Sequence, residues 1–330
     1  MSFELILPFL RPIEPLLLDE SISEIMGNPD ASWWYERDGI IHREKTISFA
    51  SGKLRTGLEV IANQLGKRLD EDNPILHAQL PDGSRLAAVI PPVVRLTPAL
   101  IIRKFTSRHY TVDDLIARGT LTRSLADFLA EQIRSGKTLL ISGGTGTGKT
   151  TLLRILADFI PDHDRIVVIE DTSELQIQKP NILAVECQTD TFKANITFDD
   201  LLKSALRWRP DRIILGEVRG IEARTLLDSF NTGHSGSLAT IHANSAEKAL
   251  HRFANLVMRN HAQTTFSDTE AEIGEAVDFV VHVERQPGRR IIREVLALRG
   301  YDRDAKRFLI EPVFEVQRGE PSPVAHIKIA

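Results

Sequence analysis

The 330-residue chain has little cysteine: Cys187 is its single thiol. One cysteine excludes a disulfide within the chain and a cysteine-ligated zinc cluster. Cys187 lies in the apolar-flanked run ILAVEC, which is typical of a small buried residue in a protein of a reducing compartment.

Long apolar runs are also missing. The opening stretch MSFELILPFLRPIEPLLL is interrupted by charged residues and prolines and has no basic n-region, so it does not fit a signal peptide. No uninterrupted apolar stretch approaches the ~20 residues that a membrane-spanning helix needs. We therefore expect a cytoplasmic protein that reaches a membrane only through its partners.

The sequence has no large excess of charge of either sign. Its 41 lysines and arginines are nearly balanced by 45 aspartates and glutamates, which leaves a formal net charge of -4 at pH 7. This balance gives no overall attraction to nucleic acid or to an anionic membrane. The net charge does not exclude local basic patches. The length is sufficient for two domains, and we expect two.

Residues 1–105 predict a small N-terminal α+β domain. Two Asp-Gly pairs, Asp38-Gly39 and Asp82-Gly83, lie between strand-like runs and predict hairpins. Between them, the segment TGLEVIANQLGKRLD carries apolar residues at helical spacing.

The remainder predicts a linker and an α/β domain. Residues 106–123 are mainly polar and are typical of a linker. Residues 124–330 begin with the helical pattern SLADFLAEQIRSG and continue as short apolar strands that alternate with helical stretches. Near the end, the runs DFVVHVER and RRIIREVLAL predict strands of a closing sheet or hairpin.

The segment GGTGTGKTT matches the phosphate-binding P-loop pattern, in which two glycines with four residues between them precede Lys and Thr. The apolar run TLLIS before it predicts a buried strand, and TLLRILADFI after it has helical spacing. Glycines let the backbone approach phosphates closely, and the first helical turn adds unpaired N–H donors. The plain alternative, a flexible Gly/Thr turn, is disfavoured by this strand and helix. The predicted nucleotide-binding residues are Gly143, Gly144, Thr145, Gly146, Thr147, Gly148, Lys149, Thr150 and Thr151.

Four side chains, two in this loop and two outside it, extend the prediction to phosphate and metal binding. Lys149 would reach the β- and γ-phosphates, and Thr150 would ligate Mg²⁺. Two carboxylates, Glu170 in VVIEDTSEL and Glu217 in RIILGEVRG, end apolar strands. Strand ends beside a P-loop are where a metal-linked carboxylate and a water-orienting carboxylate are expected. A helix cap or a solvated turn is the alternative for each of them.

Two histidines, His234 and His242, lie eight residues apart in TGHSGSLATIHAN, on either side of a predicted strand. A core or surface position is the ordinary explanation for either histidine alone. Metal ligation is disfavoured because no Cys or Asp joins them at ligand spacing. Hydrogen bonding to a phosphate is the functional interpretation that we favour.

The order of these segments is similar to a known family. GGTGTGKTT, VVIEDTSEL, the Walker B segment RIILGEVRG and NTGHSGSLATIHANS resemble the motifs of the type II/type IV secretion ATPase superfamily, in its conjugation and type IV secretion branch. The resemblance implies a RecA-like C-terminal motor domain and an N-terminal domain that closes over the nucleotide. It further implies a homohexamer that uses ATP and Mg²⁺ at a secretion or conjugation apparatus, with inner-membrane and cytoplasmic partners and a peripheral place at the inner membrane.

The resemblance also implies roles for individual residues. Glu170 matches the acidic-box glutamate, Glu217 the Walker B glutamate, and His242 the histidine aimed towards the γ-phosphate. Together with Lys149 they form the predicted catalytic set. Glu217 joins Thr150 as a candidate Mg²⁺ ligand, directly or through water, and the pattern leaves open which glutamate orients the attacking water.

Arginines form a further predicted group. The family presents N-terminal arginines to the phosphates, and Arg85 and Arg103 fall at the similar places; surface charge is the alternative for both. Arg207 and Arg219 are additional candidates for contacts to phosphate or to a neighbouring subunit.

We therefore predict an ATPase that powers substrate transfer or apparatus assembly in a type IV secretion or conjugation system. A nucleic-acid-stimulated RecA-like motor is the alternative, although the basic runs KSALRWRPDR and LHRFANLVMR contain few aromatic residues for base stacking. Nucleic-acid binding is thus not evident. A small-molecule P-loop kinase would leave the large N-terminal domain unexplained.

Overall fold

The computed structural model describes residues 6–37, 39–105, 110–188, 195–259, 264–286 and 288–316. The chain divides into two compact units, Met1–His109 and Tyr110–Ala330. Each unit has its own hydrophobic core and is described by itself.

The first unit is a mixed α and β structure, as its turn and strand patterns predict. In chain order its elements are short 3₁₀ turns at Leu7–Phe9 and Arg11–Ile13, α1 (Glu14–Leu18), β1 (Ile22–Gly27), β2 (Trp33–Arg37), β3 (Ile40–Glu44), α2 (Lys53–Gln64), β4 (Ile75–Gln79), β5 (Arg85–Val89) and β6 (Ala99–Arg103). The strands of its described residues form one antiparallel sheet in the order β3-β2-β1-β6-β5-β4.

The predicted hairpin at Asp82-Gly83 is present. β4 and β5 pair with Gln79 opposite Arg85, and Gly83 takes a positive φ of 88° in the turn between them. β2 and β3 also pair as antiparallel neighbours, but Asp38 of the first predicted turn lies outside the described residues. The predicted helix is α2, which buries Leu58, Ile61 and Ala62 completely against the sheet core.

The second unit alternates helices and strands. In chain order it contains α3 (Val112–Ala117), α4 (Arg123–Arg134), β7 (Leu139–Gly143), α5 (Lys149–Ala157), β8 (Ile166–Glu170), β9 (Ile182–Glu186), α6 (Phe198–Ala205), β10 (Arg212–Val218), α7 (Glu222–Asn231), β11 (Leu238–His242), α8 (Ala246–Met258), α9 (Phe266–Ala276), β12 (Phe279–Gln286), β13 (Arg289–Asp302) and β14 (Arg307–Glu315). In the part of the chain that is described, no helix has the length and apolar character to span a bilayer.

The sheet of the second unit is mainly parallel, which confirms the predicted α/β class. Its order in the described residues is β14-β13-β12-β7-β11-β10-β8-β9, with the strands from β12 to β9 parallel and the β12–β13–β14 end antiparallel. The parallel strands β7 and β8 are buried along their full length. Such strands read as continuous apolar runs because helices cover both faces of the sheet.

The two faces of this sheet enter separate apolar clusters. Ile141 of β7 packs in one cluster with α4 and α5, whereas the adjacent Leu140 packs in the other with α7 and α8. Successive strand residues point to opposite faces, so one strand contributes to both cores. The arrangement fixes β7 at the centre of the sheet, and with it the loop that leaves the end of β7.

Part of the segment expected to be a linker is folded. Val112–Ala117 forms α3, and its capping box is closed by Thr111 and Asp114. Leu115 and Leu121 are buried in the core of the second unit. The polar composition of residues 106–123 concealed this helix because a capping box is itself made of polar residues.

Candidate functional site

The P-loop connects the central strand β7 to α5, as its sequence context predicts. A Cβ atom on Gly143 would lie 2.5 Å from the carbonyl oxygen of Val283 and 2.6 Å from Oγ1 of Thr147. Gly148, the residue before α5, has a φ of 93°, a conformation that favours glycine. Close approach explains the first glycine of the pattern, and backbone conformation explains the second.

Two side chains of the loop bond back to the same carbonyl. Thr147 Oγ1 donates to Gly144 O at 2.9 Å, and Lys149 Nζ donates to that oxygen at 2.8 Å. Lys149 is buried, with an exposed fraction of 7%. These bonds close the loop around its lysine, so the positive charge is held at the start of α5.

His242 connects the P-loop to a carboxylate. His242 is level with Gly143 in the β11–β7 register, and its Nδ1 atom lies 3.3 Å from Lys149 Nζ. Its Nε2 atom lies 2.9 Å from Oε1 of Glu217. Because an ammonium group only donates, the lysine assigns Nδ1 as the acceptor and leaves the ring proton on Nε2, which donates to Glu217. Burial, and then the charge of Lys149, lower the pKa of His242 and favour this neutral ring.

Arg219 extends the same chain of contacts. Its Nη2 atom donates to Glu217 Oε2 at 2.9 Å, and its Nη1 atom donates to Asp171 Oδ2 at 3.0 Å. The guanidinium therefore joins the end of β10 to the loop after β8. Of the two additional arginine candidates, Arg219 lies in the site, while Arg207 is exposed and precedes the opposite, amino-terminal end of β10.

Glu170 is buried behind this chain of contacts. Its Oε1 atom accepts hydrogen bonds from the backbone N–H groups of Glu174 at 2.9 Å and Leu175 at 3.0 Å. Burial raises the pKa of Glu170 to about 7, against the lowering effect of these two bonds. Glu170 thus holds the loop that follows β8, and its side chain packs beside Gly216, the residue before Glu217.

The strand order determines how far each candidate lies from the P-loop. The sequence β7, β11, β10 and β8 across the sheet places His242 on the adjacent strand, Glu217 on the second and Glu170 on the third. Neighbouring strands lie about 4.8 Å apart, so the backbone of β8, which carries Glu170, lies roughly 14 Å from that of β7. Contacts join Lys149, His242 and Glu217 directly, and Glu170 lies one strand further away.

The two histidines of the fourth motif lie at opposite ends of β11. His234 precedes the amino-terminal end of the strand, where its Nδ1 atom lies 3.2 Å from Ser229 O. His242 is at the carboxyl end beside the P-loop. The strand between them separates their surroundings, and only His242 takes part in the site.

Arg85 and Arg103 belong to the first unit and are directly opposite each other on β5 and β6. Directly opposed residues point to the same face of an antiparallel sheet. The Nε atom of Arg103 also lies 3.9 Å from Glu24 Oε1. The first unit therefore presents these two predicted phosphate-contacting arginines as a pair.

Two arginines that the sequence analysis did not single out lie against the P-loop. Arg290 Nε donates to Gly146 O at 3.1 Å, and Arg285 Nη1 lies 3.4 Å from the position that a Cβ on Gly146 would take. Their only sequence signal is the arginine-rich run ERQPGRRIIR.

A groove of about 850 Å³ begins at Gly144 and Thr145 and continues along α8. Its wall includes His242 and three exposed cationic side chains, namely Lys248 and Arg252 of α8 and Arg259 directly after that helix. The groove is thus positively charged beside the P-loop, which suits an anionic ligand.

Two side chains, those of Thr150 and Glu217, are the candidates for holding Mg²⁺. Thr150 lies in the first turn of α5 and Glu217 at the end of β10. The described residues contain no preformed cluster of three or more His, Cys, Asp or Glu ligands. Mg²⁺ in nucleotide sites is held by one or two protein groups together with phosphates and water, so this donor set fits it.

Comparison with known proteins gives consistent similarities. The family model described as "Type II/IV secretion system protein" matches residues 10–296. The conjugal transfer protein TrbB of Rhizobium radiobacter is 38% identical over 292 residues, which cover 86% of this chain and 85% of the relative. The type IV secretion system protein PtlH of Bordetella pertussis is 32% identical over 314 residues, covering 87% and 92% of the two chains.

The fold is similar to that of a solved ATPase. The X-ray structure of the Legionella pneumophila ATPase DotB matches with a TM-score of 0.62 at 18% identity, covering 88% of this chain and 80% of that chain. This likeness supports the expected architecture, in which an N-terminal domain precedes a RecA-like domain.

Proposed function

The chain belongs to the type II/IV secretion system protein family, and from this membership we propose that it hydrolyses ATP to ADP and phosphate. The hydrolysis would power substrate transfer or apparatus assembly in a type IV secretion or conjugation system. The relatives named for conjugal transfer and for type IV secretion support that setting.

One observation carries the enzymatic part of the proposal: Lys149, His242 and Glu217 form a continuous chain of contacts at the P-loop. Phosphoryl transfer to water needs positive charge at the phosphates, a group that contacts the γ-phosphate and a carboxylate that orients the water. The three side chains provide these functions in that order along the sheet edge.

Nucleotide binding would change the partners of Lys149. Its Nζ atom bonds to Gly144 O and to His242 in the present arrangement. Phosphate oxygens are stronger acceptors for an ammonium group than a neutral carbonyl or imidazole. The lysine would therefore turn to the β- and γ-phosphates, and Nδ1 of His242 would lose its donor as the γ-phosphate is bound.

We assign the water-orienting role to Glu217 and a positioning role to Glu170. Glu217 is joined to His242 and so to the P-loop, whereas Glu170 Oε1 is engaged by two backbone N–H groups on a more distant strand. Arg219 would hold the Glu217 carboxylate at the correct angle through its Nη2 bond.

Mg²⁺ would be held by the Thr150 hydroxyl and, directly or through water, by Glu217. When bound, the ion would neutralise charge on the β- and γ-phosphate oxygens. The lysine and the loop N–H groups would bind the phosphate chain itself.

The remaining predictions concern assembly. We propose that subunits form a homohexamer and that Arg85 and Arg103 contact the phosphates from the N-terminal domain. The hexamer would act at the cytoplasmic face of the inner membrane with membrane and cytoplasmic components of the apparatus.

Two measurements test the proposal on purified protein. The wild type should release phosphate from ATP with Mg²⁺, and Lys149→Ala should abolish both this activity and nucleotide binding while the protein stays folded. Light scattering coupled to size exclusion should show a shift to the hexamer mass with a non-hydrolysable ATP analogue. Full activity in Lys149→Ala would refute the catalytic assignment, and a monomer under every condition would refute the ring.

A further inference from the structure

The β12–β13 hairpin flanks the P-loop on the side away from β11. β7 pairs with β11 on one side and with β12 on the other, so Gly143 is level with both His242 and Val283. β7 ends at Gly143, but β12 continues to Gln286. The end of the hairpin therefore extends past β7 and lies beside the loop.

Two facing arginines at this end contact the loop. Arg285 and Arg290 are register partners across β12 and β13, and both are exposed. Arg290 Nε donates to Gly146 O at 3.1 Å, and Arg290 Cδ lies 3.2 Å from the position of a Cβ on Gly148. The guanidinium of Arg285 lies over Gly146.

The hydrogen bond from Arg290 to Gly146 O fixes the orientation of a whole peptide unit. This carbonyl and the N–H of Thr147 belong to one planar trans peptide unit, in which the C=O and N–H bonds point in opposite directions. A donor that holds the carbonyl on the outside of the loop therefore directs the Thr147 N–H to the inside. Phosphate-binding loops depend on successive N–H groups that point inward.

We propose that Arg290 is a positioning residue for the phosphate site: it fixes the peptide unit between Gly146 and Thr147, and Arg285 adds positive charge on the same side. A guanidinium is always charged, and its bond to a carbonyl is stronger than one between neutral groups. The inference rests on the proposed nucleotide binding. Because loop shape serves ATP and ADP alike, loss of the contact should weaken both nucleotides and leave kcat nearly unchanged.

The experiment compares Arg290→Ala with Arg289→Ala. Arg289 is in the same hairpin, but its Nε atom bonds to Gln286 Oε1 at 2.9 Å. Each variant loses one positive charge, so the pair separates the loop contact from the charge. Dissociation constants of fluorescent ADP and ATP analogues with Mg²⁺ are measured together with hydrogen exchange of the nucleotide-free loop, residues 143–151.

Arg290→Ala should weaken both nucleotides about 10-fold and accelerate exchange in the loop, since a bond to a charged donor contributes on this scale. Arg289→Ala should change affinity less than about 2-fold because the Arg289 side chain bonds to Gln286 and not to the loop. Equal effects of the two variants on affinity and on loop exchange would overturn the positioning role. If the wild type itself binds no nucleotide, the proposed function fails, while loop exchange still tests the contact of Arg290.

Discussion

The imidazole of His242 lies against Glu217, with 2.9 Å between Nε2 of the ring and Oε1 of the carboxylate. The other ring nitrogen faces Lys149 at 3.3 Å. One histidine thus contacts both the group that would bind the phosphates and the group that would orient water. The His242 side chain alone therefore connects the position of the phosphate-binding lysine to the Glu217 carboxylate.

Replacing His242 should impair turnover more than binding. We expect His242→Ala to lower kcat by about 10²-fold, because it removes the Nε2–H donor that holds the Glu217 carboxylate in position. Nucleotide dissociation constants should change less than about 3-fold, because the P-loop supplies most ground-state contacts. Steady-state phosphate release and fluorescent-nucleotide binding measure the two effects.

His234→Ala is the matched control, since it removes the same side chain at the other end of β11. It should keep kcat within about 2-fold, as His234 contacts Ser229 and not the P-loop. Equal losses of kcat in the two variants would contradict the assignment of His242.

The two glutamates can be separated by isosteric substitution. Glu217→Gln should lower kcat by about 10²-fold or more, because an amide is a poor acceptor for a proton from the attacking water. Glu170→Gln keeps an oxygen for the N–H groups of Glu174 and Leu175 and should lower kcat by about 10-fold or less. The reverse order of the two kcat values would transfer the water-orienting role to Glu170.

The raised pKa of Glu170 also predicts how the stability of the folded chain depends on pH. Burial raises its pKa from 4.5 to about 7 in the folded state. Between these two values the folded chain holds a proton that the unfolded chain has lost, so this group makes stability decrease as pH rises from 4.5 to 7. Above pH 7 both states are ionised, and the destabilisation is complete.

Glu170→Gln should remove this dependence. Its unfolding free energy relative to that of the wild type should rise by about 2 to 3 kcal/mol between pH 5 and pH 8, measured by urea unfolding without Mg²⁺ or nucleotide. Glu131→Gln, at a side chain 72% exposed on α4, is the control for the loss of one carboxylate charge. A difference that stays constant with pH would place the pKa of Glu170 near its ordinary value.

Local patterns predicted the elements that carry the site. The structure contains the strand predicted before the P-loop and the helix predicted after it. It also places Glu170 and Glu217 at or next to the ends of their strands. These features depend on neighbours in sequence, namely side-chain period and backbone conformation.

Contacts between distant residues could not be predicted in this way. Arg290 and Gly146 are 144 residues apart and meet only because β12 and β7 are adjacent in the sheet. The same holds for the roles of the two glutamates, which look alike as strand ends. They differ because β10 lies nearer to β7 than β8 does, and strand order is a property of the whole fold.

Two adjacent glycines of the P-loop should differ in their tolerance of a methyl group. A Cβ on Gly143 would be 2.5 Å from Val283 O, whereas the nearest atom to a Cβ on Gly144 is 3.7 Å away. Gly143→Ala should therefore destabilise the second unit by about 1 to 3 kcal/mol, as overpacking does. Gly144→Ala should change the unfolding free energy by less than about 1 kcal/mol. Thermal unfolding of both variants tests the difference, and similar melting temperatures would count against the close approach.

A buried ion pair lies at the end of the sheet opposite the P-loop. Arg212 Nε lies 2.7 Å from Asp164 Oδ2, and the two side chains are only 9% and 11% exposed. Asp164→Asn would leave the guanidinium buried without its carboxylate, which should lower the unfolding free energy by about 3 to 5 kcal/mol. Glu311→Gln breaks the exposed pair with Arg299 at 2.9 Å and should cost less than about 1 kcal/mol.

Because this ion pair lies far from the P-loop, its loss should lower stability without changing nucleotide affinity. Arg212 begins β10 and Glu217 lies near its other end, so the change leaves the predicted catalytic contacts intact. Asp164→Asn should consequently lower the urea midpoint while nucleotide affinity, measured well below the transition, stays within about 2-fold of the wild type. If affinity fell together with stability at low urea, the two ends of the parallel sheet would be coupled, and the buried pair would belong to the function of the P-loop as well as to the fold.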